Sequence, residues 1–324
     1  MRPPLTDSWV LHDGAAGNRR QALALAGALD LPGHEAPLQP DWRARLLAPR
    51  RFPGAAASLG PALAGCLSAS PPQLVIGCGR AAALATRLAR AAGHRAVQIL
   101  DPRLDPAHWD LVIAPEHDGV RGANVVTLAG SLHPVDAQWL QAMRARFAAL
   151  EALPRPCTAV LLGGPTRATA FDRAALDALC ARLDQALANS GGSLVVCGSR
   201  RTPDAWETAL RAWLARAAEG THRLWLRDGD GENPYAGALA WADRIVVSPD
   251  SVNMVSEACA TAAPVYVAEP GRASGRVRRF LDGLAARGRI RAQDEVLAPF
   301  DAEPLRETPR VAAIVRERLG LPAP

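Results

Sequence analysis

The chain contains no lysine, and all 37 of its basic residues are arginine. With so much alanine beside it, this is the pattern of GC-rich coding, so the number of arginines is not by itself a sign of phosphate binding. The net charge of +5 leaves a mildly basic surface, compatible with anionic nucleotides or an anionic membrane face. No Cys-x-x-Cys pair occurs, and Cys66, Cys78, Cys157, Cys180, Cys197 and Cys259 mostly sit inside apolar runs. Buried reduced thiols are expected, not a disulfide framework or a cysteine metal site. There is no apolar run long enough to span a bilayer, and the N-terminus lacks the basic-then-apolar pattern of a signal peptide. A cytoplasmic location follows as the expectation. No internal repeat is visible beyond an echo between the two halves. With 49% hydrophobic and 21% charged residues the composition is that of a soluble globular protein, and 324 residues make room for two domains of ordinary size.

Apolar, β-branched runs recur at 9–11, 74–76, 97–100, 111–113 and 125–128, then at 159–162, 194–197, 224–226, 245–247 and 265–267. Ala/Leu/Arg helical patterns fill several of the gaps. Strands alternating with helices predict an α/β class with parallel sheets covered on both faces, and two such sets predict two Rossmann-like domains. The boundary is expected at 153–156, where Pro154 and Pro156 interrupt a helical pattern over 136–150, giving domains 1–153 and 154–300. In the remaining segment, 301–324, Thr308 reads as an N-cap and Pro309 as the first helical position. Val311, Ile314, Val315 and Leu319 form an apolar stripe there, and Gly320 and Pro322 are stop signals. Residues 31–72 carry many prolines and no clean period.

Residues 235–267 read as helix, buried strand, polar turn, helix and second strand. The turn of Ser248, Pro249, Asp250 and Ser251 follows the strand and opens a helix whose unpaired N–H groups and dipole favour an anion, here a phosphate. Glu257 falls nearly two turns into that helix, on the side where it could accept hydrogen bonds from a ribose diol. Other loops follow strands in the same way. His12, Asp13, Gly14, Gly17, Asn18 and Gln21 span the first loop, with a helix expected to open near Arg19. Its Gly-x-x-Gly suits either ligand approach or plain turn geometry. His117 with Asp118 follows a buried strand, where an imidazole oriented by a carboxylate could take a proton from a hydroxyl; capping of a loop is the alternative, and His12 beside Asp13 is the second candidate base. Arg200 and Arg201, after the strand at 194–197, can fork onto phosphate oxygens or face solvent. Trp42, Arg43, Arg45, Leu46, Leu47, Arg50, Arg51 and Phe52 fit either a membrane interface or an amphipathic helix packed on its own domain.

The 235–267 stretch resembles the nucleotide-sugar half-site of GT-B glycosyltransferases, most of all the MurG-like transferases, whose ribose-binding glutamate stands in the frame of Val255-Ser256-Glu257. Two positions depart. Asp250 replaces part of a small glycine-containing turn, placing a charge that opposes a diphosphate, and Arg276 stands where those enzymes read the sugar with glutamine. Over residues 9–319 the chain resembles the bacterial relatives of the plant mitochondrial-fission (elongated-mitochondria) protein. The resemblance is carried by Asp13-Gly14 with Gly17-Asn18 and Gln21, by 98–103, 114–118, Gly163-Gly164-Pro165 and 199–203, and by 231–235 and 250–260.

The resemblance implies a GT-B architecture, two Rossmann-like domains facing a central cleft, with the terminal helix crossing back onto the first. It implies a nucleotide diphosphate-sugar as donor substrate, no separate cofactor, a lipid-linked or saccharide acceptor and no nucleic acid; peripheral contact with the inner face of the membrane is the expectation only under the membrane-interface reading of 42–52. On the donor side it places Gly163, Gly164 and Thr166 near the diphosphate together with Ser199, Arg200 and Arg201. Asn233 and Tyr235 fall at the base, Asp250, Ser251, Asn253 and Glu257 at the phosphate and ribose, and Arg276 at the sugar. The first loop, with Gly14, Gly17, Asn18 and Gln21, faces acceptor and sugar diphosphate. Asp228 and Asp230 match the Asp-x-Asp spacing of metal-dependent transferases, but the polar loop they occupy is the favoured assignment and no metal is expected. The expected activity is glycosyl transfer. The alternatives are a nucleotide-sugar epimerase of the same architecture and a non-catalytic adaptor, as the plant relative recruits a dynamin-like fission protein.

Overall fold

The computed structural model describes residues 7–70 and 73–321, so Pro322 lies outside the described residues. The chain divides into two compact units, one of residues up to Pro134 together with those from Glu307 onward, the other Val135–Arg306.

The first unit runs β1 (Ser8–His12), α1 (Ala16–Ala28), β2 (Gly33–Pro37), α2 (Trp42–Leu47), α3 (Pro61–Ser68), β3 (Leu74–Cys78), α4 (Arg80–Ala91), β4 (Arg95–Ile99), β5 (Leu111–Pro115) and β6 (Val125–Leu128). Its six strands are all parallel, in the order β2-β1-β3-β4-β5-β6. β3 and β5 are buried at every position, as expected of central strands covered on both faces. Successive side chains of β3 therefore enter different cores. Leu74, Ile76 and Cys78 pack with Leu25 of α1, while Val75 packs with Leu63 of α3 and Leu84 of α4.

The second unit runs α5 (Ala137–Arg146), β7 (Cys157–Leu161), α6 (Arg173–Ser190), β8 (Ser193–Cys197), α7 (Asp204–Leu214), β9 (His222–Trp225), α8 (Tyr235–Trp241), β10 (Arg244–Val247), α9 (Val252–Cys259), β11 (Val265–Val267), α10 (Gly275–Ala286) and β12 (Ile290–Ala292). This sheet is also parallel, in the order β12-β11-β10-β7-β8-β9. Ala159 and Leu161 of β7 face a core with Leu239 of α8, Val255 of α9 and Phe280 of α10; Val160 faces Leu179 of α6 and Leu210 of α7. α5 belongs here, its N-cap Asp136 accepting from the Trp139 amide at 2.7 Å and its Leu140 packing in the same core as Leu239.

The last helix, α11 (Thr308–Leu319), closes the first unit, with Val311 and Val315 in the core beside Leu25. Thr308 is the first residue of this helix and not its N-cap; its hydroxyl donates to the His133 carbonyl at 2.8 Å. All six cysteines are free thiols, and burial pushes Cys66 and Cys259 up to about 12. They are inert packing groups at neutral pH.

Candidate functional site

In the second unit the chain moves outward from β7 to β8 and β9, then returns to lay β10 on the other side of β7. Parallel sheets bind ligands outside the carboxyl ends of their strands at such a reversal. The loops that meet there are 162–165 after β7, 198–202 after β8 and 248–251 after β10, and side-chain hydrogen bonds tie them together. Ser248 Oγ accepts from the Gly163 amide at 2.7 Å and donates to Asp250 Oδ1 at 2.6 Å. Asp250 Oδ2 accepts from the Gly164 amide at 3.1 Å and from Arg201 Nη2 at 2.6 Å. Thr202 Oγ1 accepts from the Ser199 amide at 2.8 Å and donates to the Gly163 carbonyl at 2.8 Å. A Cβ on Gly163 would overlap the Asp250 carboxylate, and one on Gly164 the Arg201 carbonyl. Close approach, not backbone φ, requires this glycine pair.

α9 starts from the turn, with Ser251 as N-cap accepting from the Met254 amide at 3.4 Å and Asn253 in the first turn. Glu257 is buried, and Tyr235 donates its hydroxyl to Glu257 Oε2 at 2.6 Å. Tyr235 opens α8, at the start of the helix expected from residue 235, and Asn233 Oδ1 accepts from its amide at 2.9 Å. Thr166 accepts from the Ala168 amide at 3.3 Å. The Ala168 carbonyl in turn accepts from the Ser274 amide at 2.8 Å, which brings the N-terminus of α10, with exposed Arg276 in its first turn, against the loop after β7. Ser199 and Arg200 line a cavity of about 300 Å³ with Trp225, Arg227 and Asp228, outside the carboxyl ends of β8 and β9. Asp230 is held by Arg211 at 2.5 Å and by the Leu226 amide at 2.9 Å.

The first unit has its own reversal, between β1 and β3. α1 opens at Ala16, three residues before Arg19, so Gly17, Asn18 and Gln21 are helical and only 13–15 form the loop. Gly14 has φ +81°, and Asp13 closes the turn by accepting from the Ala15 amide at 3.1 Å and from Asn18 Nδ2 at 3.1 Å. Buried His12 accepts from the Gly14 amide on Nδ1 at 3.1 Å and so donates through Nε2 to Glu35 Oε1 at 3.0 Å. Both ring nitrogens are engaged. The Arg19 guanidinium, hydrogen-bonded to Glu35, outweighs burial and holds that carboxyl at about 2, with His12 adding to the effect. A cavity of about 660 Å³ lies beside this loop, lined by Asp13, Gln39, Arg45 and Arg80 among others.

His117 and Asp118 form a single 3-10 turn after β5, with His117 Nε2 4.0 Å from Asp118 Oδ1, beyond hydrogen-bonding range. β5 lies three strand spacings from β1, roughly 14 Å at ~4.8 Å each, so the two candidate bases are not brought together. Two features escaped the sequence reading. The Tyr235 to Glu257 hydrogen bond joins residues 22 apart, and Ser248 and Thr202 act as linkers between loops. The first carried no signal in the sequence, because it depends on how α8 packs against α9.

Two parallel six-stranded sheets, each with helices and a polar, glycine-bearing reversal, define an α/β protein of GT-B architecture. The chain belongs to the mitochondrial fission ELM1 family, whose model matches residues 16–319. It is 29% identical to the mitochondrial fission protein ELM1 of Arabidopsis thaliana over 281 residues, covering 77% of this chain and 64% of that protein, so it spans less than two thirds of that relative's length. Among solved structures, UDP-GlcNAc 2-epimerase from Methanocaldococcus jannaschii superposes with a TM-score of 0.56 at 12% identity, covering 96% of this chain and 99% of that one. MurG from Acinetobacter baumannii does so with a TM-score of 0.51 at 16% identity, over 96% and 99%. Identities this low establish the fold. Among the described residues no helix is long and apolar enough to cross a membrane.

Proposed function

We propose that this protein binds a nucleotide diphosphate-sugar on its second unit and transfers the sugar to a lipid-linked or saccharide acceptor. The observation that carries the reading is the β7/β10 reversal, where a glycine pair, a helix N-terminus and a half-exposed arginine meet one end of α9 while buried Glu257 stands further along the same helix. That spacing suits a phosphate at the turn and a ribose at the glutamate. In an inverting displacement His117 takes the proton of the acceptor hydroxyl, the oxygen forms its bond to the anomeric carbon, and the bond to the diphosphate oxygen breaks. Arg200, Arg201 and the N-terminus of α9 stabilise the charge on the leaving diphosphate. The Methanocaldococcus neighbour is named for UDP-GlcNAc, which makes UDP and its sugars the first ligands to try.

A thermal-shift screen of the full chain against nucleoside diphosphates and their sugars tests the reading. A true donor at a hundred times its Kd stabilises the folded state by about 2.7 kcal/mol. No shift with any nucleotide at millimolar concentration favours the adaptor reading. The name and fold of the same neighbour favour one catalytic alternative, an epimerase. Incubation with donor alone separates the two, since an epimerase converts the donor without acceptor.

Membrane contact is assigned to α2. Trp42 is 71% and Leu46 69% exposed there, beside Arg43 and Arg45, a pairing suited to an anionic bilayer surface at its cytoplasmic side.

A further inference from the structure

Asp250 is an expensive residue to bury. Its side chain is 0% exposed, whereas that of Arg201, its cationic partner among the described residues, is 49% exposed. An ion pair of this kind recovers little of the desolvation cost of the carboxylate, so stability alone does not account for it. The geometry offers another account. The carboxylate collects one donor from each of three loops that follow neighbouring strands: the Ser248 hydroxyl after β10, the Gly164 amide after β7 and the Arg201 guanidinium after β8. Arg201 is thus anchored through Nη2 at the reversal of the sheet, with about half of its side chain exposed.

We propose that Asp250 is a positioning residue: it presents Arg201 to the phosphate of a bound nucleotide and so makes the second unit discriminate phosphorylated from unphosphorylated nucleosides. The inference rests on the nucleotide reading of this site. It reverses the expectation that a carboxylate in the turn repels the ligand. Asp250 spends its charge on Arg201 and the Gly164 amide, and the pair of side chains is neutral as a whole. An arginine held in one orientation loses less side-chain entropy when it forks onto phosphate oxygens than one that swings freely.

Calorimetric titration of UDP and uridine into the full chain tests this, using the parent, Asp250→Asn, Arg201→Ala and the double variant. Asparagine keeps an acceptor for the Gly164 amide and removes the charge that holds Arg201. The expected result is a roughly tenfold loss of UDP affinity in each single variant, uridine affinity unchanged, and a double variant no worse than either single one, because both remove the same presented guanidinium. Tighter UDP binding by Asp250→Asn would overturn the proposal in favour of repulsion. Parallel losses for UDP and uridine, with a lowered Tm, would reduce Asp250 to a scaffold residue. A parent that binds neither ligand refutes the nucleotide reading itself, a failure distinct from the other two.

Discussion

At the residue scale the account turns on Glu257, legible from its frame in the helix after the polar turn. Its partner Tyr235 was not legible as such, because a hydrogen bond between two helices depends on how α8 and α9 pack and not on spacing in the chain. Charge-assisted hydrogen bonds to a ribose are worth about 1.5–3 kcal/mol. Glu257→Ala should weaken UDP binding by roughly ten- to a hundredfold at ~1.4 kcal/mol per tenfold, and make UDP and its 2′-deoxy form nearly equal ligands by calorimetry. A folded variant with unchanged affinity and preference would leave Glu257 as no more than the acceptor of the Tyr235 hydroxyl. In the proposed reaction the acceptor proton goes to His117. His117→Ala should abolish turnover while leaving donor affinity nearly unchanged, checked by product formation and titration on the same preparation. Surviving activity would exclude His117 as the base; His12 is a poor substitute, since its two nitrogens already serve Gly14 and Glu35.

At the scale of the element, ten strands were readable as apolar runs because their side chains enter a core on one or both faces. Among the described residues β2 and β12 were not; they are sheet edges, as are the readable β6 and β9. β2, Gly-His-Glu-Ala-Pro, buries only Ala36, and β12 buries only Ile290, so neither carries a hydrophobic pattern. What fastens β2 instead is partly electrostatic. Glu35 on β2 accepts from His12 at the end of β1 and from Arg19 on α1. With its carboxyl pulled from 4.5 to about 2, chiefly by the Arg19 hydrogen bond, the native state binds fewer protons than the unfolded chain between those values. The contribution is therefore present above pH 4.5 and lost as pH falls through about 2. The Tm advantage of the parent over Glu35→Gln should shrink across that window in a pH series; an advantage that stays constant down to pH 2 would contradict the assignment. Because the Glu35 side chain is a third exposed, the effect should be modest.

At the scale of the whole molecule, the alternation of strands and helices was enough to give two parallel α/β sheets, and the division of the chain falls at 134/135 with α5 in the second unit. The prolines at 154 and 156 marked a real interruption of helix, but α5 packs forward through Leu140, and the 3-10 segment Ala148–Ala152 after it through Leu150, onto the second core, a preference that depends on tertiary contacts. The stretch 31–72 gave no period because α2 is six residues long and leaves Trp42 and Leu46 uncovered. If that helix meets a membrane, replacing Arg43, Arg45, Arg50 and Arg51 with serine should weaken co-sedimentation with anionic liposomes and leave Tm nearly unchanged. A parent protein that stays in the supernatant would end the idea.

The central claim is that a nucleotide diphosphate seats at the β7/β10 reversal. Hydrogen exchange of the full chain with and without saturating UDP measures this most directly, because the backbone amides of the turn are the groups that should change. Slowed exchange is expected at Gly163 and Gly164, over 250–254 at the start of α9, and around Tyr235, with the outer helices α6 and α7 unaffected. Exchange unchanged by UDP throughout the second unit, or protection confined to the first, would contradict it.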